Sequence, residues 1–339
     1  MSLPAEFSGP GLSECIENRH SHLRQALDTF TPPFRQPRFV VAVLPHRRPL
    51  SRLIALVFGA AVLFTVSPGP AATPAGALAI VPHRAIYRLS LLTARSSSPV
   101  VDVTGRMMFQ WADACDAWTV EQHFRMNFLY AQGDEVAMTT NYATWETKSG
   151  GSYRFNVRKT VNGQIDEEVK GEAAAGEHGK PGAVTLVKPD SDKLALPPGT
   201  LFPSGHTLVL LEQAMAGERF VTRSVFDGAE TEGPTEISAV IGKRILLKDG
   251  ISVGGSIKDR PTHDVLLTDA KRNTRLLSGN AWPVRLAFFP AKSDSAAPEY
   301  EMSLLLLHNG IAETMQIDYG DFVVSAVLET LEPLPKSGC

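Results

Sequence analysis

Alternation with a period of two is the feature that most constrains this chain. Ala85, Tyr87, Leu89 and Leu91 interleave with Arg84, Arg88 and Ser90. Trp118, Val120, Phe124, Met126 and Phe128 share one parity, and Thr119, Glu121, His123, Arg125 and Asn127 the other. Tyr153, Phe155 and Val157 alternate with Arg154, Asn156 and Arg158. Successive side chains of a strand point to opposite faces, so each such segment buries one face and wets the other. Near the end, Leu304–Leu307, Met315–Tyr319 and Phe322–Leu331 form three closely spaced strand segments. Asn162-Gly163, Asp249-Gly250, Asn309-Gly310 and Gly320-Asp321 supply the turns between segments. His308-Asn309-Gly310-Ile311 carries the clearest hairpin signal and predicts a type I′ turn, which needs positive φ at both central residues. The expected fold is mainly β and antiparallel, with one face wet.

One segment breaks the pattern. After Pro203, Leu208, Leu211 and Met215 fall on one helical face, with Ser204 placed as N-cap and Gly217 as the C′ residue. This predicts a helix over about 204–217, long enough to cover or plug one opening of a curved sheet. Residues 173–183 and 291–298 are expected to be surface loops.

The N-terminal part reads differently. Leu53–Val66 is an uncharged run of 14 residues preceded by Arg47, Arg48 and Arg52 and broken by Ser67-Pro68-Gly69-Pro70. Ala75-Gly76-Ala77 offers small residues for cleavage after Ala77. A permanent span needs about 17–25 apolar residues, so 43–77 is expected to be a cleaved signal peptide, with an uncleaved anchor as the alternative. Residues 1–42 hold five prolines and little periodicity. They are expected to be a mis-set translation start or a disordered leader, the true start lying near Val41–Leu44. Residues 1–77 contain seven Arg and no Lys, a composition apart from the rest. Residues 78–339 then form the exported domain, with 26 basic and 32 acidic residues and a net charge of −6. Such a body lacks the basic face of a nucleic-acid binder and is repelled by anionic surfaces. The expected location is the periplasm.

Two cysteines remain in the exported region, Cys115 and Cys339. In an oxidising compartment an even pair reads most simply as a disulfide, with free thiols or intermolecular bridges left open. His83, His123, His178, His206, His263 and His308 show no metal-ligand spacing, and His206 reads as a capping or packing residue. The sequence contains no phosphate-binding loop or dinucleotide fingerprint. Asp318, Gly320 and Asp321 read as a structural turn in which carboxylates bond backbone amides.

The order of several short motifs is itself informative. His83-Arg84-Ala85-Ile86-Tyr87 is followed by Thr104-Gly105-Arg106-Met107 and by Cys115 ahead of Trp118. Leu196-Pro197-Pro198-Gly199-Thr200-Leu201-Phe202-Pro203 leads into the helix, and Ala216-Gly217-Glu218-Arg219-Phe220 follows it. Asp318-Tyr319-Gly320-Asp321-Phe322 and Leu334-Pro335 precede the final cysteine. Over about 80–339 the chain resembles the EipB family of alphaproteobacterial cell envelope integrity proteins. The resemblance implies a single-domain, many-stranded antiparallel spiral or half-barrel sheet related in shape to lipoprotein carriers. It also implies a Cys115–Cys339 disulfide and a role in maintaining the envelope.

The expected function is therefore that of a periplasmic, non-enzymatic factor without cofactor that binds an envelope protein partner. The alternative is a carrier or chaperone holding lipid or lipoprotein in the concavity, with Tyr87, Trp118, Phe124 and Phe155 facing inward. A carrier predicts an open apolar cavity above roughly 300 Å³. An interaction module predicts a filled interior with exposed apolar or edge-strand surface. Oligomeric state is left open.

Overall fold

A computed structural model describes residues 78, 80–229, 231–252, 273–291 and 295–339. The leader and signal segments, and His263, lie outside the described residues. The alternating segments become long strands: β1 (His83–Ala94), β2 (Val100–Ala114), β3 (Ala117–Tyr130), β4 (Glu135–Thr147), β5 (Ser152–Val161) and β6 (Gln164–Ala174). β7 (Gly182–Lys188) and β8 (Lys193–Leu196) precede the helix α1 (Pro203–Ala216). After it come β9 (Phe220–Val225), β10 (Thr235–Ile241), β11 (Ile245–Lys248) and β12 (Ile251–Ser252). The last four are β13 (Gly279–Phe289), β14 (Tyr300–Leu307), β15 (Ala312–Asp318) and β16 (Phe322–Pro333).

All sixteen belong to one antiparallel sheet ordered β12-β11-β13-β14-β15-β16-β1-β2-β3-β4-β5-β6-β7-β8, with β9 and β10 branching from β13. The sheet does not close into a barrel. Leu201, just past β8, makes one parallel bridge to Val225 on β9. Its N–H donates to the Ser224 carbonyl at 2.9 Å, and its carbonyl accepts the Phe226 N–H at 2.9 Å.

Register carries one face through the whole sheet. Trp111, Val120, Thr144, Phe155, Gly171 and Leu186 stand opposite one another in turn from β2 to β7. Tyr87, Trp118 and Phe124 have the same parity as this row. Tyr87 and Phe155 are fully buried, whereas Trp118 and Phe124 are half-buried.

The single wet face fails at β14. Leu304 and Leu306 join the cluster packed around the helix, while Leu305 and Leu307 are buried on the other face with Ala281, Leu247 and Leu277. Leu277 belongs to a 3-10 turn, Thr274–Leu277. An unbroken run of four leucines is the pattern of a strand covered on both sides.

Four local expectations need correction. Phe202, not Ser204, is the N-cap, because Pro203 takes the first helical position and Ser204 the second. The buried stripe of the helix is His206, Leu210, Leu211 and Ala214, so Met215 points outward at 46% exposure. Burial of Leu210 and Leu211 contributes about 2–3 kcal/mol each. Gly217 does end the helix in left-handed conformation, φ 85°, with the Glu218 N–H reaching back to the Gln213 carbonyl. In the 308–311 hairpin only Gly310 has positive φ, 86°. The Gly310 N–H bonds the Leu307 carbonyl, and the Leu307 N–H bonds Ile311. This is a three-residue loop with a left-handed glycine rather than a type I′ turn. Asn309 is held there because its amide donates to the Leu276 carbonyl at 2.8 Å. Positive φ at both central residues occurs instead at Asn162-Gly163 and Asp249-Gly250. Finally, the expected 173–183 loop is shorter, since β6 runs to Ala174 and β7 starts at Gly182 around a 3-10 turn at Glu177–Gly179.

Candidate functional site

The helix start is held by the sheet. Glu146 has the inward parity of β4, standing opposite Trp118 and Tyr153. Its carboxylate accepts the Ser204 N–H at 2.8 Å and the Gly205 N–H at 2.7 Å. Those are two of the N–H groups that a helix terminus leaves unpaired. Burial pushes the Glu146 carboxyl above its ordinary range, and the two amide bonds oppose that only in part.

Beside this contact lies a cavity of about 250 Å³. Phe109, Trp111, Val120 and Tyr142 line its sheet side, Ser204 and Thr207 its helix side, and Asp227 closes it. The Tyr142 and Tyr153 hydroxyls both donate to the Asp227 carbonyl, Tyr153 at 2.7 Å. Burial, followed by the Asp227 charge, holds both phenols well above their usual range, so they stay neutral donors. Burial also raises the Asp227 carboxyl, which accepts the Ala229 N–H at 2.9 Å. The carboxylates and phenols here are engaged in holding the chain, whereas the Trp111 Nε1 of the same lining has no hydrogen-bond partner. The Glu146 carboxylate is committed to the helix and the phenols to one backbone carbonyl.

The opposite end of the strands carries an arc of aromatic rings. Phe288 closes β13, Tyr300 opens β14, Tyr319 and Phe322 flank the β15–β16 turn, and Phe128 lies near the end of β3. Phe288 stacks on Tyr300 at 4.2 Å and Tyr319 on Phe322 at 5.1 Å, with Tyr300–Tyr319 at 6.1 Å and Phe322–Phe128 at 6.2 Å. None of the five is fully buried.

Cys115 and Cys339 are disulfide-bonded, with Cα atoms 5.9 Å apart across 224 positions of sequence. Cys115 occupies the β2–β3 turn at φ 63°. The C-terminal tail is also tied without the bridge. Ser337 Oγ donates to Asp113 at 2.8 Å and accepts the Cys115 N–H at 3.0 Å. Lys148 pairs with Asp113 and lies 4.5 Å above the Trp118 ring. Asp318 accepts the Gly320 N–H at 2.8 Å, Gly320 takes φ 85°, and the Asp321 carbonyl accepts the Arg95 N–H. Ser204 and Gly217 therefore meet the cavity and the helix end respectively, while Asp318, Gly320 and Asp321 sit beside the aromatic arc. Sequence reasoning missed Glu146 and Asp227. A carboxylate at an inward parity was the available signal for Glu146; Asp227 has none.

A chain folded as an unclosed antiparallel sheet, with a helix braced against it and its C-terminal cysteine bridged to the β2–β3 turn, matches a known family. The EipB-like family model covers residues 74–335. The chain belongs to the EipB-like family. The cell envelope integrity protein EipB of Brucella abortus is 30% identical over 295 residues, spanning 85% of this chain and 98% of that protein. A Brucella abortus crystal structure described as a beta-barrel-like protein of a domain of unknown function aligns with a TM-score of 0.65 and 29% identity. It covers 76% of this chain and 100% of its own. The mainly β architecture of this EipB-like chain agrees with that neighbour.

Proposed function

We propose that this EipB-like protein is exported to the periplasm and supports cell envelope integrity as a non-enzymatic protein-interaction module. The observation that carries the reading is the braced helix inside the sheet. It leaves beside it a cavity of about 250 Å³, below the roughly 300–1,000 Å³ of typical ligand sites, although a more open pocket of about 430 Å³ lined by Trp145, Arg154, Phe155 and Val187 lies across β4–β7 and falls within that range. Exposed apolar surface lies outside instead: Phe220 is 77% and its cross-strand partner Val240 44% exposed. The envelope role draws support from the name of the Brucella relative.

A carrier function is the second reading, favoured by the half-open aromatic arc from Phe288 to Phe128. Native purification from periplasm with mass spectrometry separates the two. A stoichiometric protein partner supports the interaction module. Co-purified acyl chains without a protein overturn it in favour of the carrier.

A further inference from the structure

The outer face of the sheet carries a feature the fold does not need. Arg88, Arg106 and Arg125 stand directly opposite one another on β1, β2 and β3. Their Cα atoms span about 10 Å at antiparallel spacing. All three are exposed, and like charges directly opposite each other destabilise a sheet. One carboxylate relieves the first interval. A register shift on β16 near Ile86/Tyr87 leaves Glu329 without a strand partner. The Glu329 carboxylate bridges Arg88 at 3.5 Å and Arg106 at 3.2 Å. Bulges commonly re-aim a side chain in this way. The second interval, Arg106 to Arg125, has no such carboxylate, and Arg125 has no ion-pair or hydrogen-bond partner among the described residues.

We propose that the interval between Arg106 and Arg125 receives a carboxylate from an acidic segment of a protein partner, repeating the bridge that Glu329 makes one strand away. This deepens, and rests on, the interaction-module reading. Guanidinium groups suit bidentate carboxylate recognition. The flanking outward residues Thr104 and Asn127 add hydrogen-bonding groups to the same surface. An anionic bilayer fits less well. Of the exposed large apolar side chains among the described residues, only Leu92 and Val101 lie on β1–β3, four and five residues along the strand from Arg88 and Arg106, so none is adjacent to the arginines to anchor a membrane contact. The exported region also carries a net charge of −6, whereas a short acidic segment feels chiefly the patch within a Debye length of about 8–10 Å.

The test compares the exported chain with the triple variant Arg88→Gln/Arg106→Gln/Arg125→Gln and a control, Arg154→Gln/Lys170→Gln, elsewhere on the outer face. A fluorescein-labelled oligoglutamate peptide and phosphatidylglycerol vesicles are the probes, titrated at low salt. The expected result is salt-sensitive peptide binding, weakened about tenfold or more in the triple variant and unchanged in the control. The triple variant is expected to melt near the wild-type temperature, because the repulsion removed offsets the two exposed Glu329 bridges lost. Equal binding by the triple variant, equal loss in the control, or binding to vesicles but not to peptide overturns the proposal. Native co-purification keeps the two levels apart. A partner retained equally by wild type and triple variant refutes the arginine site alone; no partner with either refutes the reading beneath it.

Discussion

Acidification should destabilise this protein through His206, by an amount the structure allows to be worked out. The ring is the fourth residue of α1 and is buried, and its Nε2 has no hydrogen-bond partner. Burial first, and the positive charge of Arg223 second, lower its pKa from 6.5 to about 4. A histidine with a depressed folded pKa gives stability that is present above the unfolded value and lost as pH falls through the folded one. Here the window runs from 6.5 down to about 4. Between pH 7.5 and pH 4.5 the loss is about 2.5 kcal/mol at 1.36 kcal/mol per unit. That is a large share of the 5–15 kcal/mol typical of a folded domain.

Other buried groups act at the same time, so the total curve alone cannot decide. His83 is also lowered by burial and has the same sign. Glu146 and Asp227 are raised by burial and have the opposite sign: the folded state takes up their protons first, and their contribution fades as pH rises. The decisive quantity is therefore a difference. Urea unfolding of wild type and His206→Leu at both pH values should show the variant losing about 2.5 kcal/mol less on acidification, with unchanged m-values. Parallel losses in the two proteins would refute the reasoning, since His206 would then titrate alike in folded and unfolded chains.

Removing the bridge with Cys115→Ser should lower stability by up to about 5 kcal/mol on the loop-entropy model, read as a fall in Tm that reductant reproduces in wild type. Glu146→Ala strands two amides at the helix start and should cost about 2–4 kcal/mol in denaturant titration, while Glu146→Gln, which keeps one acceptor oxygen, should cost about half. Gly228→Ala places a methyl 2.4 Å from the Phe155 ring at φ 78°, so it should cost about 2–4 kcal/mol. Gly163→Ala at φ 80° meets nothing within 4 Å and should cost only about 1 kcal/mol.

Strand parity was legible because it depends on neighbours one and two residues away. The inward set Tyr87, Trp118, Phe124 and Phe155 needed nothing more. The helix start was not legible because its cap comes from Glu146, 58 residues earlier in sequence, and Pro203 had already moved the first turn off Ser204. The helical face was misread for a related reason. Leu208 and Met215 are as apolar as Leu210 and Leu211, so only the position of the sheet decides which stripe is covered. At 308–311 the Asn-Gly pair signalled a reversal, but Asn309 spends its side chain on Leu276, a residue of another element. The double-sided burial at Leu304–Leu307 was visible as an unbroken apolar run, though not what lay on its second face.

An unclosed sheet must also protect its ends, and how it does so bears on where a partner can bind. At one end β8 is only four residues long, too short to template another chain, and at the other β12 has two among the described residues. The longer free edge, β9, is covered in part. Leu201 takes the Ser224 carbonyl and the Phe226 N–H, and the Arg223 guanidinium donates to the Thr222 carbonyl at 2.8 Å. Strand addition at that edge would have to displace these bonds. The helix, meanwhile, occupies part of the inner face. What remains is the outer face, which bears both the Phe220–Val240 pair and the arginine rank across β1–β3. With its long edge covered in part and a helix braced within its concavity, the sheet leaves the outside of the spiral as the surface on which the proposed partner contact rests.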